Sequence, residues 1–562
     1  AQALDLEGLP DIGTPLRSST GLDLDLSLDA RAVRIARFGA GMVDSGRIRL
    51  RLSRSGDELT LNDLTIDNLG GANLSARGES RPGAARVEAQ LNADRLVELA
   101  ALIRRVAPGP AADALASRAV ALSPARLTLN AEGSDATLAA IGTLKLEGTA
   151  RGTTVAGTVS PGRDGRAVAA QFNFDNADAH LLLRQMGFDT VALSRFGAGR
   201  VQVQANGRND GSYGAKLDAT LAGSSFTFDG AVTPRDSAFE GNGRVRLASG
   251  NLAPLLQILA LALPDPTVSL AAEGGGNLRF ANGGFVLADA KGKIGDTAVS
   301  GRLERAAGNG PVSGVVDVDR LSLASLASLV FGPAQPARAG QRWADLKFAP
   351  APIDAPKANL AVKVGQFEPG AGLPSGPAQF RLGLDAGAVS LDDLRLKSGA
   401  ANVSGSLNLR RDRDQGSLSG KLAVATPLAG RFGMDGQADG TFEFAGSGTS
   451  EAALMGGLGG RGSVTVSALR MADANPAALD QTIATIEREQ LAVEPMKVEA
   501  QMQAALNGGR LTLDKTVLEA TIAGGVVRLQ SPVFATSAGP RAQIGASFDV
   551  RSLAAEATLD LT

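Results

Sequence analysis

The chain of 562 residues contains no cysteine and only one histidine, one tryptophan and one tyrosine. Without cysteine it can form neither disulfides nor thiolate metal sites. His180 is the single imidazole, so a metal site with two or more histidine ligands is excluded. A lone histidine without a partner set is far more often structural than catalytic. These absences remove most of the residue sets on which enzymes depend.

The chain also lacks an excess of charge of either sign and any long apolar run. The 56 basic and 58 acidic residues leave a net charge of −2, whereas nucleic-acid binding requires a clustered basic excess. No segment approaches the roughly 18 apolar residues of a membrane span, and the best candidate, residues 252–264, ends in proline. The chain begins AQALDLEGLP, without Met or a signal peptide, which we interpret as a processed form or a fragment with any anchor upstream.

What the chain does contain is strict alternation of aliphatic and polar residues. In residues 21–30, GLDLDLSLDA, the leucines point one way and the aspartates and serine the other. The same period of two recurs at 47–53, 200–208, 225–230, 441–446 and 463–469. A period of two predicts strands with one apolar and one polar face. The Gly, Asn, Asp and Ser residues between the runs are typical of hairpin turns.

Parts of the sequence repeat. LTLNDLTIDNLGGANLS (59–75) is similar to VSLDDLRLKSGAANVS (389–404), and LTLDKTVLEATIAGGVVRL (511–529) is a looser copy. RFGAG occurs at 37–41 and 195–199, and RFGMDG at 431–436. Recurring units of this kind predict a sheet that is extended by repetition.

The predicted fold is mainly β: a repetitive antiparallel sheet, curled into an elongated groove, with short amphipathic helices. The helices are expected at 95–106, 178–187, 252–262, 320–330 and 475–489. A Pro- and Ala-rich stretch at 331–356 is interpreted as a boundary or crossover. It divides a repetitive β-rich region with short helices (1–334) from a second β-rich region (335–562).

One stretch looks like a cofactor loop. GLGGRG (457–462) has the spacing G-x-G-x-x-G, which cradles a pyrophosphate when a strand precedes it and a helix follows. Here the order is reversed, because SEAALM (450–455) is helical in pattern and SVTVSAL (463–469) is a strand. We therefore expect the end of a helix and a turn, without a bound dinucleotide.

Two acidic patterns also have structural interpretations. Asp23, Asp25 and Asp29 alternate with leucines on one strand, and no glycine supplies the bend of a calcium loop. Asp392–Asp393 and Asn62–Asp63 occupy the same position of the repeat, which favours a turn. No catalytic, metal-binding or cofactor-binding residues are predicted, and the chain is expected not to be an enzyme.

The apolar face is the remaining candidate for function, since a half-apolar sheet must bury that face against something. Few helices and few aromatic residues are available to cover it, so an open trough could receive an acyl chain. The alternative without a ligand is a closed sandwich or solenoid core. The predicted lining residues are Leu22, Leu24, Leu26, Leu28, Leu50, Leu52, Val201, Val203, Leu391, Val403, Leu407, Leu409, Val464 and Val466.

Residues 340–530 resemble a known family. The similar features are QRWADLKF, ANLAVKVGQF, GPAQFRLGLDAGAVSLDDLRLKSGAANVSGSLNLRR and GQADGTFEFAGSGTSEAALMGGLGGRGSVTVSALRM, in that order. Together they resemble the C-terminal region of the AsmA-like family (AsmA/TamB/YhdP-type periplasmic proteins) of Gram-negative bacteria. The membrane helix that usually opens members of the family is not in this sequence.

The resemblance implies a periplasmic protein anchored in the inner membrane, with a long β-rich groove and no catalytic residues. The predicted function is to shield phospholipid acyl chains in the groove during transport between the inner and outer membranes, in support of outer-membrane assembly. The expected partners are acyl chains, the inner membrane and outer-membrane assembly proteins, without nucleic acid or cofactor. The alternative is a structural scaffold in outer-membrane protein biogenesis that contacts partners through its sheet edges.

Overall fold

The computed structural model describes most of the chain. The described residues are 23–36, 42–106, 110–134, 141–161, 167–191, 197–208, 211–235, 238–259, 269–308, 310–349, 357–370, 372–430, 433–490, 493–535 and 541–561. Leu22 and the RFGAG stretch at 37–41 lie outside them.

The mainly β prediction is confirmed: 63% of residues are in strands, and the described residues contain 29 strands in one long antiparallel sheet that is not closed. The strands are β1 Leu24–Ala36, β2 Met42–Ser55, β3 Glu58–Leu69, β4 Ala72–Arg81, β5 Ala84–Ala93, β6 Ala125–Gly133, β7 Ile141–Ala150, β8 Thr153–Pro161, β9 Ala167–Asn176, β10 Gly199–Arg208, β11 Tyr213–Leu221, β12 Ser224–Arg235, β13 Ala238–Ser249, β14 Ala272–Ala281, β15 Gly284–Ile294, β16 Thr297–Arg305, β17 Val312–Ser322, β18 Ala358–Glu368, β19 Gly376–Asp385, β20 Ala388–Ser398, β21 Ala401–Asp412, β22 Gln415–Pro427, β23 Met434–Gly448, β24 Gly459–Ala472, β25 Arg510–Ala523, β26 Val526–Gln530, β27 Phe534–Ala535, β28 Arg541–Asp549 and β29 Ala554–Leu561.

Short helices interrupt the strand succession. They are α1 Val97–Val106, α2 Pro110–Leu122, α3 Ala179–Gln185, α4 Ala253–Ile258, α5 Leu323–Phe331, α6 Glu451–Gly456, α7 Ala478–Glu489 and α8 Pro495–Asn507. The helices expected near 95–106, 178–187, 252–262, 320–330 and 475–489 are therefore confirmed, with shorter bounds. The sequence analysis did not predict α2 or α8, because their apolar residues are not segregated on one face.

The chain divides into two compact units. One comprises Ala1–Ala260, Ser269–Gly295 and Ala306–Gly308, and the other comprises Leu261–Val268, Asp296–Arg305 and Asn309–Thr562. The division expected at residue 334 from repeat character stays a prediction.

In the first unit each strand from β1 to β15 pairs antiparallel with its neighbour in the chain. Two-residue turns connect many of them. Asn282 and Gly283, between β14 and β15, have φ of 50° and 78°. Positive φ at both central residues gives the turn twist that matches a hairpin, and Asn-Gly adopts it at low cost. The turn residues of the sequence thus produce the meander.

The second unit contains one exception to the antiparallel pattern. β17 and β18 pair in parallel, from Val312 opposite Ala358 to Ser322 opposite Glu368. A parallel pair requires a crossover connection, and α5 with the Pro- and Ala-rich stretch supplies it. Both strands of this pair belong to the second unit, and the interpretation of residues 331–356 as a boundary or crossover between two halves of the chain stays a prediction.

The prediction of turns at Asp392–Asp393 and Asn62–Asp63 was wrong. Both pairs lie inside strands, at β-bulges where two residues oppose one on the neighbouring strand. Asp393 adopts φ of 52°, which its short polar side chain tolerates. The repeat therefore conserves an irregularity in the sheet rather than a loop.

Helices cover the sheet only in places, and three clusters of buried residues result. In the first unit, α1 and α2 pack on the ends of β3 to β7 around Leu69, Leu99 and Ala125. Leu182 of α3 and Ile258 of α4 cover the ends of β10 and β11. In the second unit, Leu326 and Val330 of α5 pack on β18 to β21. Each helix buries the strand residues beneath it and leaves others half-exposed.

Gln185, the last residue of α3, ties helices to the sheet through buried hydrogen bonds. Its Nε2 donates to the carbonyl oxygens of Ala121 and Ala150, at 3.1 and 2.9 Å. Its Oε1 accepts from the hydroxyl of Thr153, which in turn accepts from Nδ2 of Asn176. All side chains of this network are buried. If one of them is removed, its partners lose a hydrogen bond that water cannot replace.

We expect Gln185→Leu to lower the opening free energy of β7, β8 and β9 by about 1–3 kcal/mol, the usual cost of a buried polar group left unpaired. Amide hydrogen exchange of these strands measures it. Gln171→Leu, at an exposed position of β9, is the control. Equal protection in both variants would contradict the assignment.

Candidate apolar binding faces

Alternation and register together build one continuous apolar row in the first unit. From β1 to β14, each member of the row lies opposite the next on the neighbouring strand. We call it the first apolar row: Leu28, Leu50, Leu64, Ala76, Ala89, Leu129, Leu146, Gly157, Phe172, Val203, Leu217, Phe228, Val245 and Gly276. At about 4.8 Å between strands, it extends roughly 60 Å along the sheet.

The second unit contains a similar row. It runs from β16 through the parallel pair to β29, again between register partners. We call it the second apolar row: Leu303, Gly314, Leu360, Leu382, Leu391, Leu407, Gly420, Phe444, Gly460, Ile522, Val527, Phe548 and Ala555. Every member is apolar or glycine, so neither row is interrupted by a polar side chain.

The predicted lining residues divide into two groups by exposure. Half-buried, with surface still accessible, are Leu26, Leu28, Leu50, Leu52, Val203, Val403, Leu407 and Val466, and Leu24 is exposed. Val201, Leu391, Leu409 and Val464 are buried. Leu22 lies outside the described residues. All thirteen described residues lie on the side of their strands that carries the apolar residues, and their role as a lining stays a prediction.

The burial of Val201, Leu391 and Leu409 has a specific cause. Val201, 1% exposed, lies in the cluster under α3 and α4. Leu391, fully buried, and Leu409 lie in the cluster that α5 and α6 complete. These side chains contribute to the core and offer no surface to a ligand. The accessible part of each face is the part beyond the helices.

Sequence reasoning missed how the phenylalanines fit on the faces. A Cβ added to Gly157 would lie 2.3 Å from the ring of Phe172, its register partner on β9. A Cβ at Gly420 would lie 2.8 Å from the ring of Phe444, also its register partner. Each ring thus lies over a glycine of the next strand. Glycines at apolar-face positions of the alternation are visible in the sequence. Which phenylalanine each glycine faces depends on strand register, which the sequence does not reveal.

GLGGRG belongs to the same arrangement. Gly457 caps α6, and Gly459 opens β24, so the expected order of helix and strand is confirmed and the phosphate-cradle geometry is absent from this stretch. The expected turn is shorter than predicted, because Gly460 and Gly462 are already inside β24. A Cβ on Gly462 would lie 2.8 Å from the ring of Phe442 on β23.

The opposite face of the sheet carries charges that pair across strands. Arg47 donates to Asp29, Arg77 to Glu88 and Lys421 to Glu443. The hydrogen bonds from Arg47 and Arg77 lower the pKa of the Asp29 and Glu88 carboxyls below their ordinary values. These groups are exposed, so water screens each pair and each stabilises little. This face of the sheet is therefore charged and exposed to solvent.

Sites of other kinds are not evident in the described ranges. Within them, no group of three or more His, Asp or Glu residues could hold a metal ion. His180 is buried on α3. None of the described helices combines the length and apolarity of a membrane span.

Comparisons with protein-family models, with curated proteins and with solved structures found no match.

The close fit of Phe172 on Gly157 gives a testable prediction. We expect Gly157→Ala to lift the ring from the sheet and to lower the opening free energy of β8 and β9 by about 1–3 kcal/mol, the usual cost of overpacking. In a Phe172→Ala background the same change should cost nothing, which a double-mutant cycle of hydrogen-exchange protection measures.

Gly214→Ala on β11 is the matched control, since its added Cβ would lie no closer than 3.6 Å to any neighbouring atom. If Gly157→Ala and Gly214→Ala had equal effects, the ring would not be seated on Gly157.

Proposed function

We propose that the chain is a non-enzymatic lipid-handling protein whose apolar faces shield phospholipid acyl chains. The observation that carries this proposal is the unbroken first apolar row, most of whose members remain half-exposed, whereas Gly157, Phe228 and Val245 are buried. A soluble domain that needed only a core would cover such a face, because large contiguous apolar patches in contact with water are rare and usually mark an interaction site.

An acyl chain matches this surface in chemistry. Each methylene that leaves water contributes about 0.8 kcal/mol, so a chain of about 16 carbons gains roughly 13 kcal/mol from full burial. Binding of this kind is non-directional and needs no polar anchor. The composition of the first apolar row, which consists of Leu, Val, Ala, Phe and Gly, supports it.

The same composition suits transport. Val203, Leu217 and their partners along the row place an apolar side chain or a glycine on each successive strand. An acyl chain moving along the row would exchange one apolar contact for another, so it would not have to leave a deep free-energy minimum. Rings seated over glycines, such as Phe172 over Gly157, add apolar area without a high barrier across the path.

The setting of this function is proposed from the resemblance to AsmA-like proteins. On that basis the chain works in the periplasm, anchored by an upstream segment, and passes phospholipid between the inner and outer membranes in support of outer-membrane assembly. Its partners there would be the inner membrane and outer-membrane assembly proteins.

The test replaces half-exposed row members with charge. In Val203→Glu/Leu217→Glu, two register partners of the first apolar row become acidic. Crosslinking of a photoactivatable phospholipid to peptides of β8 to β12 should fall at least several-fold, because a carboxylate cannot be buried unpaired against an acyl chain. Mass spectrometry of the crosslinked peptides measures it.

Gln202→Glu/Gln204→Glu is the matched control, because it adds the same charge to the opposite face of β10. Circular dichroism checks that both variants are folded. Undiminished crosslinking in a folded Val203→Glu/Leu217→Glu variant would refute the lining assignment. A native chain that carries no phospholipid in native mass spectrometry would favour the scaffold function instead.

A further inference from the structure

The polar face of the second unit contains a group of three neighbouring cations that form no cross-strand ion pair among the described residues. Lys357 pairs with Asp385, Arg381 with Asp393 and Lys421 with Glu443. Lys363, Arg395 and Lys397 make no ion pair with any residue in the described part of the chain. We call these three side chains the cationic patch.

Register brings the cationic patch together. Lys363 of β18 lies opposite Gln379 of β19, which lies opposite Arg395 of β20. Two strand spacings therefore separate Lys363 from Arg395, about 10 Å between their backbones. Lys397 lies two residues further along β20, on the same face. Long flexible side chains at these positions can converge on one small ligand.

The three cations line an open depression of about 580 Å³. Gln379, Asn402 and Ser404 also line it, as do five apolar residues, Val403 among them, so amide, hydroxyl and apolar groups lie beside the charges. The volume lies within the range of small-molecule pockets. No carboxylate lines the depression.

The surroundings compensate the positive charge only in part. Asp317 of β17 lies opposite Lys363, but the two do not form an ion pair. Asp393, on the same strand as Arg395, is engaged by Arg381. Three like charges close together repel one another. Elsewhere on this face, carboxylates on the neighbouring strand pair with cations. Neutral Gln379 and Ser404 face Arg395, and neutral Asn402 faces Lys397. Asp317 faces only Lys363.

We propose that the cationic patch binds a phosphate group. A doubly or singly charged tetrahedral oxyanion can accept from the planar fork of Arg395 and from the two ammonium groups at once. The amide of Asn402 and the hydroxyl of Ser404 can donate to remaining oxygens. Because the patch is on the face opposite the second apolar row, the site does not depend on acyl-chain binding.

A free phosphate compound and a lipid headgroup present the same chemistry, so the experiment has two arms. One arm titrates inorganic phosphate into the full chain by calorimetry at low salt. The other measures flotation of the chain with vesicles of phosphatidylcholine alone or of phosphatidylcholine mixed with phosphatidylglycerol. We expect saturable binding in at least one arm, weakened by added salt because the contacts are between exposed charges.

The test variant is Lys363→Gln/Arg395→Gln/Lys397→Gln. The control is Lys145→Gln/Arg200→Gln/Lys216→Gln, which removes the same charge from polar-face residues that each pair with a carboxylate. The test variant should bind at least about tenfold more weakly, and the control within about twofold of the native chain. Circular dichroism should be unchanged in both, since the replaced side chains are exposed.

Binding of inorganic phosphate would identify a site for a soluble phosphate compound. Flotation only with phosphatidylglycerol vesicles, lost in the test variant, would identify a headgroup site. No saturable binding in either arm, or equal weakening in test and control variants, would overturn the proposal.

Discussion

The backbone ladder between neighbouring strands is the constraint on which the rest of this structure depends. Side chains alternate across a strand, so a slip of one residue would exchange the two faces. With the observed register, Leu28, Leu50 and Leu64 align on one face while Asp29 meets Arg49 on the other. The apolar rows, the cross-strand ion pairs and the cationic patch are all products of that alignment, because none of them is contiguous in sequence.

Much of the fold could be predicted because its signals are local. The alternation at 21–30 or 200–208 is sufficient to predict a strand and the face to which Leu28 or Val203 belongs. Helices such as α5 and α7 follow from short amphipathic patterns. The order of helix, glycines and strand around GLGGRG could be predicted in the same way. That order alone distinguishes this stretch from a dinucleotide-binding loop.

The rest depends on which strands meet and on what covers them. Leu391 and Leu407 look alike in sequence, yet α5 and α6 complete the cluster that buries the first, while the second remains half-exposed. That difference arises from a helix more than 60 residues away along the chain. The bulge at Asp393, the glycine under Phe172 and the neutral neighbours of Arg395 likewise become visible only when register is known, since each involves partners on another strand.

The succession of neighbouring strands also constrains how such a chain can change in length during evolution. If one strand were added or deleted, the chain would emerge at the opposite end of the strands. Every later strand would then run in the reverse direction, and every later connection would have to change. A whole hairpin can be inserted or lost without that penalty, as in other proteins whose repeats contact only their neighbours. The parallel junction of β17 with β18 is the exception, because its crossover returns the chain to the end of the sheet at which β17 begins. Relatives of this chain should therefore differ by even numbers of strands, except at that junction.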